Sequence, residues 1–182
     1  MKEKLHKLID LIFESDRKVN NKTPKKTIQR RIIWKTRFYR NDPLAAPVQE
    51  KMQDGQRITP SWVIQLDRNQ IFVFGSNTRG VHDGGASFTA VQYFGAIAGQ
   101  AEGIQGRSYA IPTDGTTMDE LHNAVRRFIV FAKAHPHLTF LVTEIGCGTA
   151  GYHPMEIAPM FTDAVSVPNI YLPKQFWKYI IK

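Results

Sequence analysis

The sequence predicts an α/β fold with a mostly parallel sheet covered on both faces, and three observations predict it. Short continuous apolar runs, rich in β-branched and aromatic residues, recur at 71–76, 108–113, 139–146 and 169–173. Segments with helical apolar spacing separate them. The turns that leave the first and third runs are rich in glycine. Strands buried on both faces need continuous apolar runs, and strands alternating with helices are the pattern of parallel α/β sheets.

From the N-terminus, Leu5, Leu8, Ile9, Ile12 and Phe13 fall at helical spacing, which predicts a short amphipathic helix over 2–14 with lysines on its other face. Residues 15–30 are polar and basic and read as a linker or exposed arm. Ile32, Ile33 and Trp34 form an apolar patch. Pro43, Pro47, Gly55 and Pro60 then break the chain too often for long elements, leaving room for a short helix from Leu44 to Met52. Residues 1–60 are therefore expected to be a basic N-terminal extension, and 61–182 the main domain.

In the main domain the strand IFVFGS (71–76) leads into a helix from about Gly85 to Ala98, with Ala86, Ala90, Tyr93, Phe94 and Ile97 facing inward. SYAIPT (108–113) is the second strand. Thr117 and Glu120 form a capping box that opens a helix whose inner face is Leu121, Val125, Phe128, Ile129 and Ala132. TFLVTEIG (139–146) is the third strand. Pro154 suits the first position of a helix with Ile157, Met160 and Phe161 inward, which Pro159 weakens or kinks. NIYLP (169–173) is the fourth strand.

At 182 residues the chain can bury one good core and an appendage. Its net charge of +8 is confined to the N-terminal part: residues 1–70 hold 16 Lys/Arg against 8 Asp/Glu, and residues 71–182 hold 8 of each. A basic arm on a neutral body could attract nucleic acid, anionic lipid or another acidic partner, or is simply solvated. The lone Cys147 excludes an intrachain disulfide and a multi-thiolate metal site and fits a reducing compartment. The N-terminal apolar runs are too short for a signal segment or membrane span, so a cytoplasmic protein with no membrane partner is expected.

Two loops carry the candidate chemistry. FGSNTRGVHDGGAS (74–87) leaves the first strand and enters a helix, offering Gly75, Ser76, Asn77, Gly84, Gly85 and Ala86 to a ligand. EIGCGTAGYHP (144–154) follows the third strand and offers Gly146, Cys147, Gly148, Thr149, Ala150, Gly151 and Tyr152. Glycine lets backbone approach a ligand closely, and free N–H groups at a helix N-terminus favour phosphate or pyrophosphate. Two such loops at neighbouring strand ends could clamp a diphosphate between them.

The same residues carry a family resemblance. Asn77, followed after five residues by Asp83-Gly84-Gly85-Ala86, resembles the macro-domain loop in which an asparagine precedes a Gly-Gly-Gly-Val run by that interval. Ile145-Gly146-Cys147-Gly148-Thr149-Ala150-Gly151-Tyr152 resembles the family's Ile-Ser-Thr-Gly-x-x-Gly-Tyr run. Its Ile-Gly-Cys-Gly form also occurs in a macro-domain branch that removes ADP-ribose. From about Trp62 to Trp177 the FGSN, SYAIPT and IGCGTAGY blocks are similar to those of an uncharacterised macro-like family of bacteria and phages. The resemblance implies a three-layer α/β/α sandwich binding ADP-ribose or a related nucleotide, free or on a modified protein or nucleic acid. It also implies that Asn77 faces the distal ribose, that the Gly84–Gly85 turn and residues 148–152 hold the diphosphate, and that Tyr152 closes over that ribose.

Removal of ADP-ribose would need groups that manage protons beside the ribose anomeric carbon. Asn77, His82, Asp83 and Glu144 are the candidates, with a turn role for Asp83, a surface role for His82 and a capping role for Glu144 as the plainer readings. Two departures bear on this. Ser87 stands where the common hydrolytic pattern has aspartate, and no lysine occurs between residues 52 and 132 to supply the lysine-based mechanism of the Ile-Gly-Cys-Gly branch. Cys147 between two glycines reads as a small packing residue or a thiolate nucleophile. His82, Cys147 and His153 match no known zinc spacing, and no metal or cofactor is expected.

Two other functions stay open. The arm from Lys18 to Arg40, with Trp34, Phe38 and Tyr39 interleaved, has the composition of a nucleic-acid contact. The body could also be a Rossmann-like binder of another nucleotide, although a G-x-G-x-x-G fingerprint after the first strand is missing.

Overall fold

The computed structural model describes residues 55–180. The helix expected over 2–14, the arm over 15–40 and the short helix over 44–52 lie outside the described residues. The strands are β1 (Ile58–Thr59), β2 (Gln70–Asn77), β3 (Gly103–Gln105), β4 (Ser108–Asp114), β5 (Thr139–Val142) and β6 (Ile170–Pro173). The helices are α1 (Gly85–Phe94), α2 (Met118–Ala134), α3 (Pro154–Ile157) and α4 (Lys174–Ile180), with a 3-10 helix at Ala158–Ser166.

The strands form one sheet in the order β1-β6-β5-β2-β4-β3. Every neighbouring pair is parallel except β3 with β4, so the sheet is mixed and mostly parallel, in an α/β fold. β1 brings residues from before position 61 into the sheet. Arg57 fastens it there, donating from Nε to the Ile170 carbonyl at 2.9 Å and from a terminal nitrogen to the Val165 carbonyl at 2.9 Å.

The central strands are buried on both faces, as their unbroken apolar runs predict. Ile71 and Val73 point into one hydrophobic cluster, with Leu121, Val125 and Phe128 of α2 and with Phe161 and Phe176. Phe72 and Phe74 point into another, with Ala90 and Phe94 of α1 and with Val63 and Leu66. Alternate side chains of a strand point to opposite faces, which is how one run feeds two clusters. Burying each of the larger side chains contributes about 1.5–3 kcal/mol before entropy is counted.

The helix over 118–134 begins as predicted. The Thr117 hydroxyl accepts from the Glu120 N–H at 3.2 Å while the Glu120 carboxylate accepts from the Thr117 N–H at 2.8 Å, and all five predicted inner residues are buried. The helix after β2 is shorter than expected. Gly95 adopts a left-handed conformation (φ 75°) that ends α1 at Phe94, leaving Ile97 beyond the helix and 53% exposed, while Tyr93, on the outer face of α1, is 59% exposed rather than inward-facing. The third strand is also shorter: it ends at Val142, and the chain turns at residues 145–146. Pro154 opens a single α turn, after which the chain tightens into the 3-10 helix at Ala158, next to Pro159.

The chain leaves β2 toward β4 but leaves β5 toward β6, so the strand order reverses between β2 and β5. The loops leaving these two parallel strands at their carboxyl ends must open apart there. Open α/β sheets bind ligands in that crevice.

Candidate functional site

A cleft of about 340 Å³ lies at the carboxyl ends of β2, β4 and β5. The β2 loop supplies one wall through Gly75, Ser76, Asn77 and Asp83, continuing into Gly84, Gly85 and Ala86 at the start of α1. The β5 loop supplies the facing wall through Glu144, Gly146, Gly148, Thr149 and Ala150. The structure therefore brings twelve of the candidate residues together. His82, Cys147, Gly151 and Tyr152 do not line the cleft.

The floor depends on Gly75. A Cβ there would stand 3.0 Å from Thr113 Oγ1 of β4 and 3.4 Å from the Gly146 nitrogen, so a side chain would crowd Thr113 beneath the cleft. Thr113 Oγ1 in turn donates to the Ser76 carbonyl at 3.1 Å, where the β2–β4 register shifts between Ser76 and Asn77. Such irregularities commonly re-aim side chains beside sites.

The N-terminus of α1 opens on the cleft without a cap. Gly84 is the N-cap in extended conformation (φ −151°, ψ 158°), makes no side-chain hydrogen bond, and is followed by no acidic residue in the first turn. A Cβ at Gly84 or Gly85 would meet no atom within 4 Å. Ser87, which stands where the hydrolytic pattern has aspartate, donates from Oγ to the Gly84 carbonyl at 2.7 Å. The first N–H groups of this ten-residue helix therefore present partial positive charge to the cleft with no side chain in front of them.

Asn77 is engaged with its own loop. Its Oδ1 accepts from the Arg79 N–H at 3.1 Å and the Val81 N–H at 2.9 Å, and its Nδ2 donates to the Val81 carbonyl at 2.9 Å.

His82 is neither a surface residue nor a cleft residue. It is 7% exposed, set edge-on against Phe74, with Nε2 2.9 Å from Oγ of the buried Ser76. The Ser76 hydroxyl also lies 3.2 Å from the Asn77 carbonyl, and its one proton serves that oxygen or Nε2 according to the His82 tautomer. Nδ1 is buried with no protein partner among the described residues. Burial pushes its pKa below the ordinary value, which keeps the ring neutral near pH 7. His82 thus ties the loop to the sheet rather than meeting a ligand.

Cys147 packs against the core, its thiol 3.5 Å from the Ile145 carbonyl. Burial pushes the thiol pKa up to about 11, with Glu144 and Glu156 adding to it. That environment opposes a thiolate nucleophile and fits the packing role. Tyr152 also packs against the core, and its ring would lie 3.3 Å from a Cβ at Gly146, away from the cleft lining. His153 caps α3, accepting from the Met155 N–H at 3.1 Å.

The sequence reading missed part of the lining: Arg79, Val81, Ser87, Thr113, Asp114, Thr143 and Ile145. The signals for Thr113 and Asp114 were their places at the end of the second predicted strand, beside the first. The lining now holds three carboxylates (Asp83, Asp114, Glu144) and one cation, Arg79. Among the described residues no group of His, Cys, Asp and Glu is arranged to hold a metal, and no helix is long and apolar enough to cross a membrane.

Comparison of the chain with protein-family models, with curated proteins and with solved structures returns no match.

Proposed function

We propose that the protein is a macro-domain-like three-layer α/β/α sandwich whose cleft binds ADP-ribose or a related nucleotide diphosphate. The observation that carries this reading is the uncapped N-terminus of α1 opening on a cleft at the strand-order reversal, opposite a second glycine-bearing loop. Backbone N–H groups there suit a diphosphate. The carboxylates of Asp83, Asp114 and Glu144 suit the hydroxyl and amino donors of a nucleoside. The two matched loop patterns add the family's ligand to that chemistry.

Removal of ADP-ribose from a modified macromolecule is the enzymatic form of the same reading, with Asp83 and Glu144 as the proton-managing groups at the cleft. Titration calorimetry with ADP-ribose, with ATP and NAD as competitors, tests binding. Gly148→Glu is the control, because a Cβ at Gly148 meets no atom within 4 Å, and the variant places a carboxylate at the proposed anion site, with thermal unfolding to check its fold. Saturable binding lost in the folded variant supports the reading, and no binding by folded wild type refutes it. Release of ADP-ribose from a modified protein or nucleic acid by wild type, lost in Glu144→Gln or Asp83→Asn, would establish hydrolysis.

The concentration of positive charge in residues 1–70 favours a second, compatible reading, nucleic-acid contact through the arm. Such binding would collapse with salt and survive loss of Asn77, the reverse of nucleotide binding.

A further inference from the structure

We propose that Arg79 binds the ligand's phosphate groups and that Asn77 is the positioning residue that aims it. This assignment rests on the diphosphate reading of the cleft.

Among the described residues, Arg79 is the only cationic residue in the lining, against three carboxylates. A diphosphate entering this cleft meets net negative side-chain charge, so it needs a cation as well as backbone N–H groups. A guanidinium is always charged and matches phosphate oxygens two at a time. Although three carboxylates line the same cleft, Arg79 pairs with none of them: among the described residues the one ion pair joins Arg127 to Glu102. Its guanidinium makes no hydrogen bond among the described residues either, which leaves its five donors for a ligand.

The backbone beneath Arg79 is fixed in place. Its N–H and that of Val81 both donate to Asn77 Oδ1, while Asn77 Nδ2 closes the ring on the Val81 carbonyl. The Gly80 N–H donates to the Asn77 carbonyl at 3.0 Å. Gly80 (φ 66°) lies so close to Gly99 that a Cβ would stand 2.5 Å from the Gly99 carbonyl carbon, and the Gly99 N–H donates to the Gly80 carbonyl at 2.9 Å. Arg79 therefore projects from a loop closed around one asparagine side chain and clamped to residue 99. A preformed support of this kind lowers the ordering cost of binding. Asn77 then matters for binding chiefly because it holds this loop, with both heteroatoms of its amide already engaged there.

The test is calorimetric titration with two probes, ADP-ribose and inorganic pyrophosphate, on wild type, Arg79→Gln, Asn77→Ala and the double variant, with thermal unfolding as the fold control. Arg79→Gln is expected to weaken both probes about ten- to hundredfold, the size of losing a charge-assisted hydrogen-bonded pair, with unfolding unchanged. Asn77→Ala is expected to weaken binding in the wild-type background but not in the Arg79→Gln background. A purely structural loss would be the same in both.

Undiminished binding of both probes by Arg79→Gln overturns the assignment and leaves the ADP-ribose reading standing. Pyrophosphate binding that depends on Arg79, without ADP-ribose binding, supports the assignment and refutes that reading. No binding of either probe by folded wild type overturns both. Equal losses from Asn77→Ala in the two backgrounds overturn its positioning role.

Discussion

Replacing Gly84 by aspartate should move stability and ligand binding in opposite directions. Gly84 already has the extended N-cap conformation, and a Cβ there meets no atom within 4 Å, so the change brings neither strain nor clash. α1 has neither a side-chain cap nor an acidic residue in its first turn. An aspartate at the N-cap accepts from the N–H groups of the first turn, gaining a few tenths of a kcal/mol over glycine. Its charge adds about 0.3–1 kcal/mol with the helix dipole, reduced by repulsion from neighbouring Asp83. A net gain near 0.5–1 kcal/mol raises Tm by roughly 1–4 °C in a domain of this size. The same carboxylate covers the N–H groups a phosphate would use and repels it. Losing one charge-assisted hydrogen bond costs about 1.5–3 kcal/mol, so ADP-ribose affinity should fall at least tenfold. Circular dichroism melting and calorimetric titration read the two effects, and Gly84→Ser, which caps without charge, separates occupancy from repulsion. A lower Tm would refute the uncapped description of α1, and unchanged affinity would refute the placement of the diphosphate at its N-terminus.

Gly75→Ala should destabilise the fold by about 1–3 kcal/mol, because the new methyl sits 3.0 Å from Thr113 Oγ1 between packed strands; an unshifted urea midpoint would show that the strands give way freely. For His82 the folded pKa is depressed and the unfolded value is the ordinary 6.5, so the unfolded chain binds the proton first as pH falls. Stability should therefore decline below about pH 6.5 and level off beneath the folded pKa, and His82→Gln should remove that part of the decline in urea titrations at pH 8, 6 and 5. Cys147, with its thiol pKa near 11 against an ordinary 9.0, should react with iodoacetamide at pH 8 roughly a hundredfold more slowly than in the urea-unfolded chain, and Cys147→Ser should leave ADP-ribose binding intact. Fast native alkylation would show that the thiol is not held as the structure places it.

Where local and tertiary signals agree, the sequence could be read directly. α2 has a capping box at its start and an apolar stripe along one face, and both point to the same helix. The central strands were legible because burial on both faces leaves unbroken apolar runs. The third strand was read four residues too long because Ile145 is apolar and 2% exposed yet sits in a turn. There Thr143 Oγ1 donates to the Val73 carbonyl, and the Ile145 N–H folds back to the Thr143 carbonyl. Burial imitated strand character at that position. β1 and β3, of two and three residues, are too short to show any period, and α4 carries no sequence cap signal. At the cleft, glycine marked the strand ends, so most of both loops was legible. Thr113 and Asp114 join the lining because β4 lies beside β2, a lateral strand order that no local pattern encodes, although both stand at the end of a legible strand.

The two walls differ in how they are held, and on the proposed reading this gives them different parts in binding. The β2 wall has three separate supports: the Asn77 ring, the buried Ser76–His82 hydrogen bond, and the packing of Gly80 on Gly99. Beyond Cys147, which packs against the core, the β5 wall is held by the backbone turn of Gly151 to Gly148 and by the Tyr152 N–H on the Gly146 carbonyl. Gly148 and Gly151 within it have open space around them. Reshaping the first wall must break a buried contact, whereas reshaping the second exchanges exposed turn hydrogen bonds for solvent or ligand, at far lower cost. On the proposed reading, the β2 wall with the α1 N-terminus would be the preformed half of the site, and residues 148–151 the half that adjusts around a ligand. Tyr152, packed against the core at the far end of that segment, is the point at which such an adjustment must stop, since moving it would uncover Ile157 and the core beneath.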